Sequence, residues 1–368
     1  MENKKERVLY IDAARTAAIV FVALNHAVNR TWINYGEVVW DYTHTGPVST
    51  GLKAMLTVAS RYGVPLFLMI TGALILRRGF DSREQIRSFF RRNWRSLFIT
   101  SEIWIFFGFW FHVLVKPKPF LADAALWEKL WRCLKTLLFL DMIRFDSMWY
   151  VPMILSIYTV LPILAVFLHR SAAPKLILLP LAGVFLCDML VPTVNACLAI
   201  FGLKTLNFMI YDTNFLSAYL IYVLAGYWVS TGGLERLSDR AVIAGAVGSC
   251  LLCCAVQFWC YTRSDHLLAY MSPGILFSSF FVFECFRRYS GCLRRFARPL
   301  AAVSRSAFAL YLMHVFFLWG FHWYFDFSGW SHTAKVLFLT VVPLAASGLI
   351  IRLLSPIPWC RKTLFLIK

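Results

Sequence analysis

The sequence predicts an all-α integral membrane protein with about ten transmembrane helices. Of its 368 residues, 60% are hydrophobic and only 15% are charged, whereas a soluble domain carries about 25% charged residues. Its mean hydropathy is +0.65. One water-soluble core cannot hold this much apolar surface, and a lipid bilayer is the solvent that accommodates it. We therefore predict that residues 1–368 form a single transmembrane domain.

Ten apolar stretches account for the predicted helices. A helix needs about 20 apolar residues to cross a bilayer, and only the sixth and eighth stretches fall clearly short of this. In chain order the stretches cover 8–29, 55–76, 95–115, 148–168, 174–193, 215–231, 241–262, 271–286, 305–325 and 335–354. The longest segment outside them, 116–147, contains an amphipathic part at 126–140, which we expect to lie in the membrane interface.

The distribution of Lys and Arg predicts that the N-terminus and the C-terminus are both cytoplasmic. With the N-terminus inside, the segments after the second and eighth predicted helices are also inside, and both are rich in arginine, as the positive-inside rule requires. Segments 30–54, 194–214, 263–270 and 326–334 would be outside, and they carry few basic residues. Segment 116–147 departs from the pattern, with six Lys and Arg on the expected outer side.

The formal charge of +18 comes from 37 Lys and Arg against 19 Asp and Glu. Because the basic residues lie between apolar stretches and not along one face, they favour contact with membrane lipids and argue against a nucleic-acid partner. Most of the 10 cysteines lie within apolar runs, and Cys250, Cys253 and Cys254 have no second pair of ligands near them in the sequence. We therefore expect no metal and treat these cysteines as small hydrophobic residues.

Polar residues within the first predicted helix are candidates for function. Asp12, Arg15, Asn25 and His26 lie there, and charged groups inside a span are costly and usually functional. At about 100° per residue, Arg15 and His26 fall within roughly 20° of the same face, and Asp12 is close enough to pair with Arg15. A guanidinium binds phosphate, and an imidazole takes up a proton near neutral pH. The alternative is an interfacial ion pair and a structural histidine at the outer boundary.

Arg61 lies near the outer end of the second predicted helix and needs a partner. Glu102 in the third predicted helix is the candidate, although the depths of the two residues differ by roughly 10 Å at 1.5 Å per residue. We expect that both residues belong with Asn25 to the wall of a substrate cavity, or that they have a purely structural role.

Two further pairs of residues have the same two interpretations. Trp149 and Tyr150 begin the fourth predicted helix, where they either line the cavity or anchor the helix in the membrane interface. Tyr311 and His314 are three residues apart in the ninth predicted helix and therefore share a face. They belong either to the cavity, with His314 as the rival base, or to a helix-packing hydrogen bond.

Five segments carry a resemblance to a known family, and they occur in its order. The first contains Arg15 and His26, separated by ten residues. The others are RYGVPLFLMITGAL at 61–74, FFRRNWR at 89–95, MWYVP at 148–152 and SRSAFALYLMH at 304–314. Together these segments resemble the signature of the acyltransferase-3 family of integral membrane acyltransferases, in which ten helices are usual.

The resemblance implies transfer of an acyl group, usually acetyl, from cytoplasmic acyl-CoA to a hydroxyl or amine of an extracytoplasmic glycan or glycolipid. It also implies a cell membrane location, and we expect a bacterial cytoplasmic membrane. On this basis we assign His26 as the general base, Arg15 as a CoA ligand and Asp12 as the residue that orients Arg15. A further set of arginines either contacts CoA phosphates or only determines topology: Arg77, Arg78, Arg91, Arg92 and Arg95.

Two other functions remain open on the sequence. A transporter or lipid flippase would also place polar residues within its spans, although the sequence shows no inverted repeats or paired broken helices. A non-catalytic accessory protein for glycan export is the second alternative. Release of CoA from acyl-CoA would distinguish an enzyme from both.

Overall fold

A computed structural model describes residues 8–32, 46–115, 119–140, 148–206, 218–263 and 268–367. The described residues are mostly helical and contain no strand, which confirms the predicted all-α class. The helices are α1 (Leu9–Trp32), α2 (Pro47–Ser60), α3 (Gly63–Ile75), α4 (Arg83–Phe89), α5 (Arg95–Val115), α6 (Pro119–Ala122), α7 (Leu126–Leu137), α8 (Tyr150–Arg170), α9 (Leu178–Val184), α10 (Val191–Ile200), α11 (Leu220–Ser230), α12 (Asp239–Arg263), α13 (Pro273–Tyr289), α14 (Ala297–Tyr324) and α15 (His332–Leu354).

Within these ranges, eight helical segments are long and apolar enough to cross a membrane, so the chain is a multi-pass membrane protein. Each of the ten predicted stretches overlaps a helix, and two features explain why eight spanning segments are found and not ten. The 3₁₀ turn Ser290–Phe296 joins α13 to α14 without a break, so Pro273–Tyr324 forms one helical segment where the sequence suggested two. Helix α11 has 11 residues, about 16 Å at 1.5 Å per residue, which is short of a bilayer core of about 30 Å.

Helix α1 lies at the centre of the bundle and packs against α2, α3, α13, α14 and α15. Its buried faces carry small side chains, since Ala14, Ala18, Ala23 and Ala27 have no solvent exposure. Small residues let neighbouring helix backbones approach closely, which is the usual basis of helix association in membranes. The polar residues of α1 are therefore held at fixed positions against five neighbours.

Helices α3 and α11 cross with their backbones in contact at two glycines. A Cβ atom added to Gly72 would overlap the carbonyl oxygen of Val223, and one added to Gly226 would overlap that of Met69. The two glycines thus face each other's helices across the same crossing. Because α3 forms one wall of the cavity described below, this crossing fixes the position of that wall.

A buried carboxylate and two arginines join the end of α13 to the start of α12 and to the segment before it. Glu284 has no solvent exposure and accepts hydrogen bonds from Arg287 and Arg288 at 2.6–2.9 Å. Arg288 also donates to Asp239 at 2.7 Å and to the carbonyl oxygen of Leu234 at 2.7 Å. A charge can be buried in this way because hydrogen-bonded groups of opposite charge surround it.

Helix α7 falls within the segment for which an interfacial position is predicted. One face is exposed and apolar, with Trp127 and Trp131 more than half exposed, whereas Cys133 and Thr136 are buried. Glu128 and Arg132 form an ion pair of 3.0 Å one turn apart. Exposed tryptophans on an amphipathic helix are typical of the membrane interface, and the interfacial position stays a prediction.

Candidate functional site

A cavity of about 540 Å³ opens between α1, α3, the start of α5, α8 and α14. Four arginines line it: Arg15, Arg78, Arg92 and Arg305. Its other polar lining residues are Thr71, Asn93, Ser96, Tyr150, Tyr158, Ser304 and Tyr311. Apolar side chains, including Val22, Val64 and Phe67, complete the wall. A concave site of this size with convergent polar groups is the usual form of a small-molecule site.

The arginines lie at one end of the cavity. Arg15 Nη1 donates to Ser304 Oγ at 3.1 Å, and one residue further along α1 Thr16 donates to the carbonyl oxygen of Leu300 at 3.2 Å. Along α14, Tyr311 lies six residues beyond Arg305, or about 9 Å at 1.5 Å per residue. The cavity therefore runs from a cationic end to an end formed by aromatic and aliphatic side chains. Asp12 is 5% exposed and lies one turn before Arg15, and its role in orienting Arg15 stays a prediction.

The two candidate bases are in direct contact. His26 Nδ1 lies 2.8 Å from His314 Nε2, and the two rings are nearly parallel, with an interplanar angle of 8°. His314 Nδ1 lies 2.8 Å from the carbonyl oxygen of Leu310. His314 has no solvent exposure, whereas His26 is partly exposed.

The contacts of Arg15 and of His26 show how α1 and α14 are arranged. Arg15 touches Ser304, and eleven residues further along α1 His26 touches His314, ten residues beyond Ser304. The two helices therefore run side by side in the same direction. This parallel register places the histidine pair beyond the cavity, on the side away from the arginines.

Tyr311 lies between the cavity and the histidine pair. Its ring contacts that of Tyr150 at a centroid distance of 5.6 Å and lies 6.5 Å from the ring of His314. Tyr150 and Tyr311 line the cavity, but His26 and His314 do not. One layer of aromatic side chains thus separates the arginine-lined space from the two imidazoles.

Arg61 binds Asn25, the residue beside His26. Arg61 Nη1 donates to Asn25 Oδ1 at 2.6 Å, and its Nε donates to the carbonyl oxygen of Leu268 at 2.9 Å. The guanidinium also lies over the ring of Tyr270, 5.3 Å from its centroid. The suggested pairing of Arg61 with Glu102 is therefore wrong, because the guanidinium at the end of α2 reaches α1 and the 268–272 segment.

Glu102 and Trp149 lie outside the lining of the cavity. Within the part of the chain that the structure describes, Glu102 Oε1 is buried without a hydrogen-bond partner. The ring of Trp149 packs on those of Tyr219 and Tyr270, with centroids 5.4 and 5.8 Å apart. Trp149 thus belongs to an aromatic group that adjoins Arg61, on the far side of Tyr150 from the cavity.

Of the arginines suggested as CoA ligands, the structure brings Arg15, Arg78 and Arg92 to the cavity, but not the remaining three: Arg77, Arg91 and Arg95. Helical spacing explains the positions of Arg91 and Arg95. Arg92 lies on a π-helical turn, Phe90–Trp94, and shares the cavity face with Ser96 four residues later. Arg91 and Arg95 are also four residues apart and lie on the adjacent face.

Arg305 is a cavity residue that the sequence reasoning missed. It follows Ser304 in the segment 304–314 and lies in the third turn of α14. A charged residue at the start of the predicted apolar stretch 305–325 was the available signal, because such residues usually face protein or a water-filled cavity.

The sequence over residues 8–352 matches the family model described as an acyltransferase domain, in the acyltransferase-3 family. All the residues of the cavity except Leu366, and both histidines, lie within this range. Neither the curated proteins nor the solved structures contain a match.

Proposed function

Because the chain belongs to the acyltransferase-3 family of integral membrane acyltransferases, we propose that it transfers acetyl from acetyl-CoA to a hydroxyl or amine of an extracytoplasmic glycan or glycolipid. The acyl-CoA binds in the arginine-lined cavity from the cytoplasmic side, and His26 is the general base. The observation that carries the proposal is the alignment of the cavity, Tyr311 and the histidine pair.

The four cavity arginines support an acyl-CoA donor. CoA carries a pyrophosphate and a 3′-phosphate, and guanidinium groups bind phosphate oxygens through paired, charge-assisted hydrogen bonds. Arg78, Arg92 and Arg305 are exposed, so they remain accessible to a ligand that enters from their end. Val22, Val64 and Phe67, which lie towards the other end, offer an apolar surface to the pantetheine arm and the acyl group.

The chemistry of the acceptor requires a base. A sugar hydroxyl becomes an effective nucleophile when its proton is removed in the transition state. In the proposed reaction the rings of Tyr150 and Tyr311 move apart to admit the thioester to His26, and His26 Nε2 accepts this proton while the hydroxyl oxygen forms a bond to the thioester carbonyl carbon. The tetrahedral intermediate then collapses, the carbon–sulfur bond breaks, and the departing CoA thiolate receives the proton from His26.

The surroundings of His26 support a polar acceptor. Asn25 and Arg61 provide polar groups beside the histidine, and Trp149, Tyr219 and Tyr270 form an aromatic group next to Arg61. Aromatic rings with polar neighbours combine apolar contact area with hydrogen bonding, which suits the mixed surface of a glycan. In this proposal membrane lipids surround the protein, and a lipid-linked acceptor reaches it from the bilayer.

The test is acyl transfer by the purified protein in lipid nanodiscs. Acetyl-CoA with an isotope-labelled acetyl group is supplied together with cell-envelope glycans, and labelled glycan is detected by mass spectrometry. CoA release is followed by chromatography, because the 10 cysteines of the chain are free and would react with thiol reagents. Transfer of label with equimolar CoA release is expected. A transporter, flippase or accessory protein would release no CoA, which would refute the proposal.

The role of His26 is tested in the same assay with a matched histidine control. His26→Gln is expected to lower kcat by about 10²–10⁴-fold, the usual effect of losing a positioned base. His332, which is exposed at the start of α15, provides the control, and His332→Gln should leave kcat unchanged. Normal turnover by His26→Gln would remove His26 from the proposed reaction.

A further inference from the structure

We propose that His314 is a positioning residue that selects the tautomer of His26, and that only His26 acts as a base. His314 accepts a hydrogen bond from the Nδ1–H of His26 and thereby leaves His26 Nε2 unprotonated. The catalytic role of His314 as a positioning residue rests on the proposed acyl transfer. The protonation pattern of the two histidines does not, because it follows from their geometry.

The first step concerns His314. Its Nδ1 lies 2.8 Å from the carbonyl oxygen of Leu310. A carbonyl oxygen only accepts hydrogen bonds, so Nδ1 of His314 carries a proton. In a neutral imidazole one ring nitrogen is a donor and the other an acceptor. A cationic His314 would place a full charge on a side chain without solvent exposure, which is costly. The neutral ring therefore has a bare Nε2.

The second step passes from His314 to His26. The bare Nε2 of His314 lies 2.8 Å from His26 Nδ1, and two bare nitrogens cannot form a hydrogen bond. His26 Nδ1 therefore carries the proton and donates it to His314. The remaining nitrogen of neutral His26, Nε2, has a free lone pair. Hydrogen bonds within the pair and to Leu310 occupy the other three ring nitrogens of the two histidines, so this nitrogen is the one left to an acceptor substrate.

The third step distinguishes the roles of the two histidines. The only lone pair of His314 is used by the bond from His26, and its ring is fully buried. His314 is therefore unavailable to a substrate, although it shares a helix face with Tyr311. When His26 takes up a proton, its Nδ1–H bond to His314 becomes charge-assisted and stronger. A base oriented by a third group in this way is a general feature of catalytic triads.

The protonation pattern is tested without any measurement of activity. Protein that carries ¹⁵N-labelled histidine, eight residues in all, is placed in bilayers and examined by solid-state NMR, where bare and protonated ring nitrogens give separate signals. The signals of the pair are assigned from their loss in His26→Gln and His314→Gln. Both rings are expected to carry the proton on Nδ1 and to be bare at Nε2. A proton on Nε2 of His26 at neutral pH would overturn the proposal.

The positioning role is tested by two substitutions of His314 in the acyl-transfer assay. In His314→Gln, the amide oxygen can replace Nε2 as the acceptor for His26, whereas His314→Ala leaves no acceptor. His314→Ala is expected to lower kcat by about 10²-fold or more with little change in the KM for acyl-CoA, because an unoriented imidazole can hold the wrong tautomer. His314→Gln should recover at least tenfold of that loss.

Three outcomes of the kinetic test count against the assignment. If His314→Gln is as inactive as His26→Gln, then His314 itself is the base, because an amide cannot accept a proton in its place. If both substitutions of His314 lower folded yield, kcat and acyl-CoA binding together, the residue is purely structural. Wild-type activity in His314→Ala excludes any positioning role. If the wild-type protein transfers no acyl group, the proposed function fails, and the NMR measurement still decides the tautomer of the pair.

Discussion

The ring of Tyr150 packs against the ring of Tyr311 at a centroid distance of 5.6 Å, and the two tyrosines line the end of the cavity away from the arginines. Phe67 also lies there, with its ring 6.5 Å from that of Tyr150. Under the proposed function these aromatic rings surround the acyl end of a bound acyl-CoA and restrict the enzyme to short acyl groups.

Phe67→Ala is therefore expected to extend the range of acyl donors. Each additional methylene that finds apolar space contributes about 0.8 kcal/mol, or about fourfold in binding. The kcat/KM of butyryl-CoA relative to acetyl-CoA should rise by about tenfold in the variant. Leu74→Ala is the control, because Leu74 lines the cavity four residues before Arg78. An unchanged preference in Phe67→Ala, or an equal change in Leu74→Ala, would refute this function of the aromatic end.

Arg305→Ala is expected to weaken acyl-CoA binding. A hydrogen bond to a charged group contributes about 1.5–3 kcal/mol when it is shielded from water, and Arg305 is exposed, so the lower value applies. The KM for acetyl-CoA should rise by about tenfold with little change in kcat. Arg95→Ala removes another exposed arginine, one that does not line the cavity, and the KM of this variant should stay near the wild-type value. Equal effects of the two substitutions would show that only the overall charge matters.

Substitutions of Asn25 are expected to show how far folding depends on the bond to Arg61. Asn25→Leu removes the side-chain oxygen to which the 8%-exposed Arg61 donates, and a hydrogen bond to a charged group contributes about 1.5–3 kcal/mol. Asn25→Asp keeps an acceptor and should give near-normal folded protein. The measurement is the yield of monodisperse protein after size-exclusion chromatography. Poor folding of both variants would mean that the amide nitrogen of Asn25, not the acceptor for Arg61, is required.

The glycines at the crossing of α3 and α11 are expected to tolerate no side chain. Gly72→Ala and Gly226→Ala each place a methyl group against a backbone carbonyl, and such overpacking costs about 1–3 kcal/mol or more. Gly248, in α12, is the control, because a Cβ atom there meets nothing within 4 Å. The melting temperature in detergent should fall clearly in the first two variants and stay level or rise slightly in Gly248→Ala. An unchanged melting temperature in Gly72→Ala would show that the two backbones can separate at little cost.

The predicted orientation can be tested by cysteine labelling. In a variant without the native cysteines, a single cysteine at exposed Glu84, in α4, should react with a membrane-impermeant maleimide only after the cells are opened. A cysteine at Ser328, between α14 and α15, should react in intact cells. The reverse pattern would invert the proposed direction of acyl transfer.

Much of the fold was predictable because each span is a local property of the sequence. Every predicted apolar stretch overlaps a helix, and Arg15 and His26 both face α14, as their spacing along α1 indicated. The number of separate spanning segments was harder to predict. Hydropathy does not show whether the residues between two apolar stretches form a loop or, like Ser290–Phe296, a continuous helical connection.

The contacts of the candidate site were predictable only in part. The hydrogen bond between His26 and His314 joins residues 288 positions apart. The sequence does not show whether two such distant histidines are alternative bases or hydrogen-bonded partners. Arg61 donates hydrogen bonds to Asn25 and to a backbone carbonyl oxygen, whereas the charges in the sequence suggested the carboxylate of Glu102 as its partner. Arg305 was missed because a single arginine near a helix end fits a topological role equally well.

The layer of aromatic rings at Tyr311 also bears on the electrical properties of the membrane. A continuous water-filled passage would conduct ions, since each elementary charge gains about 2.3 kcal/mol on crossing a potential of 100 mV. The cavity stops at Tyr150 and Tyr311, and beyond them His314 has no solvent exposure. We therefore expect cells that make this protein to maintain their membrane potential, although its large cavity reaches far into the bundle.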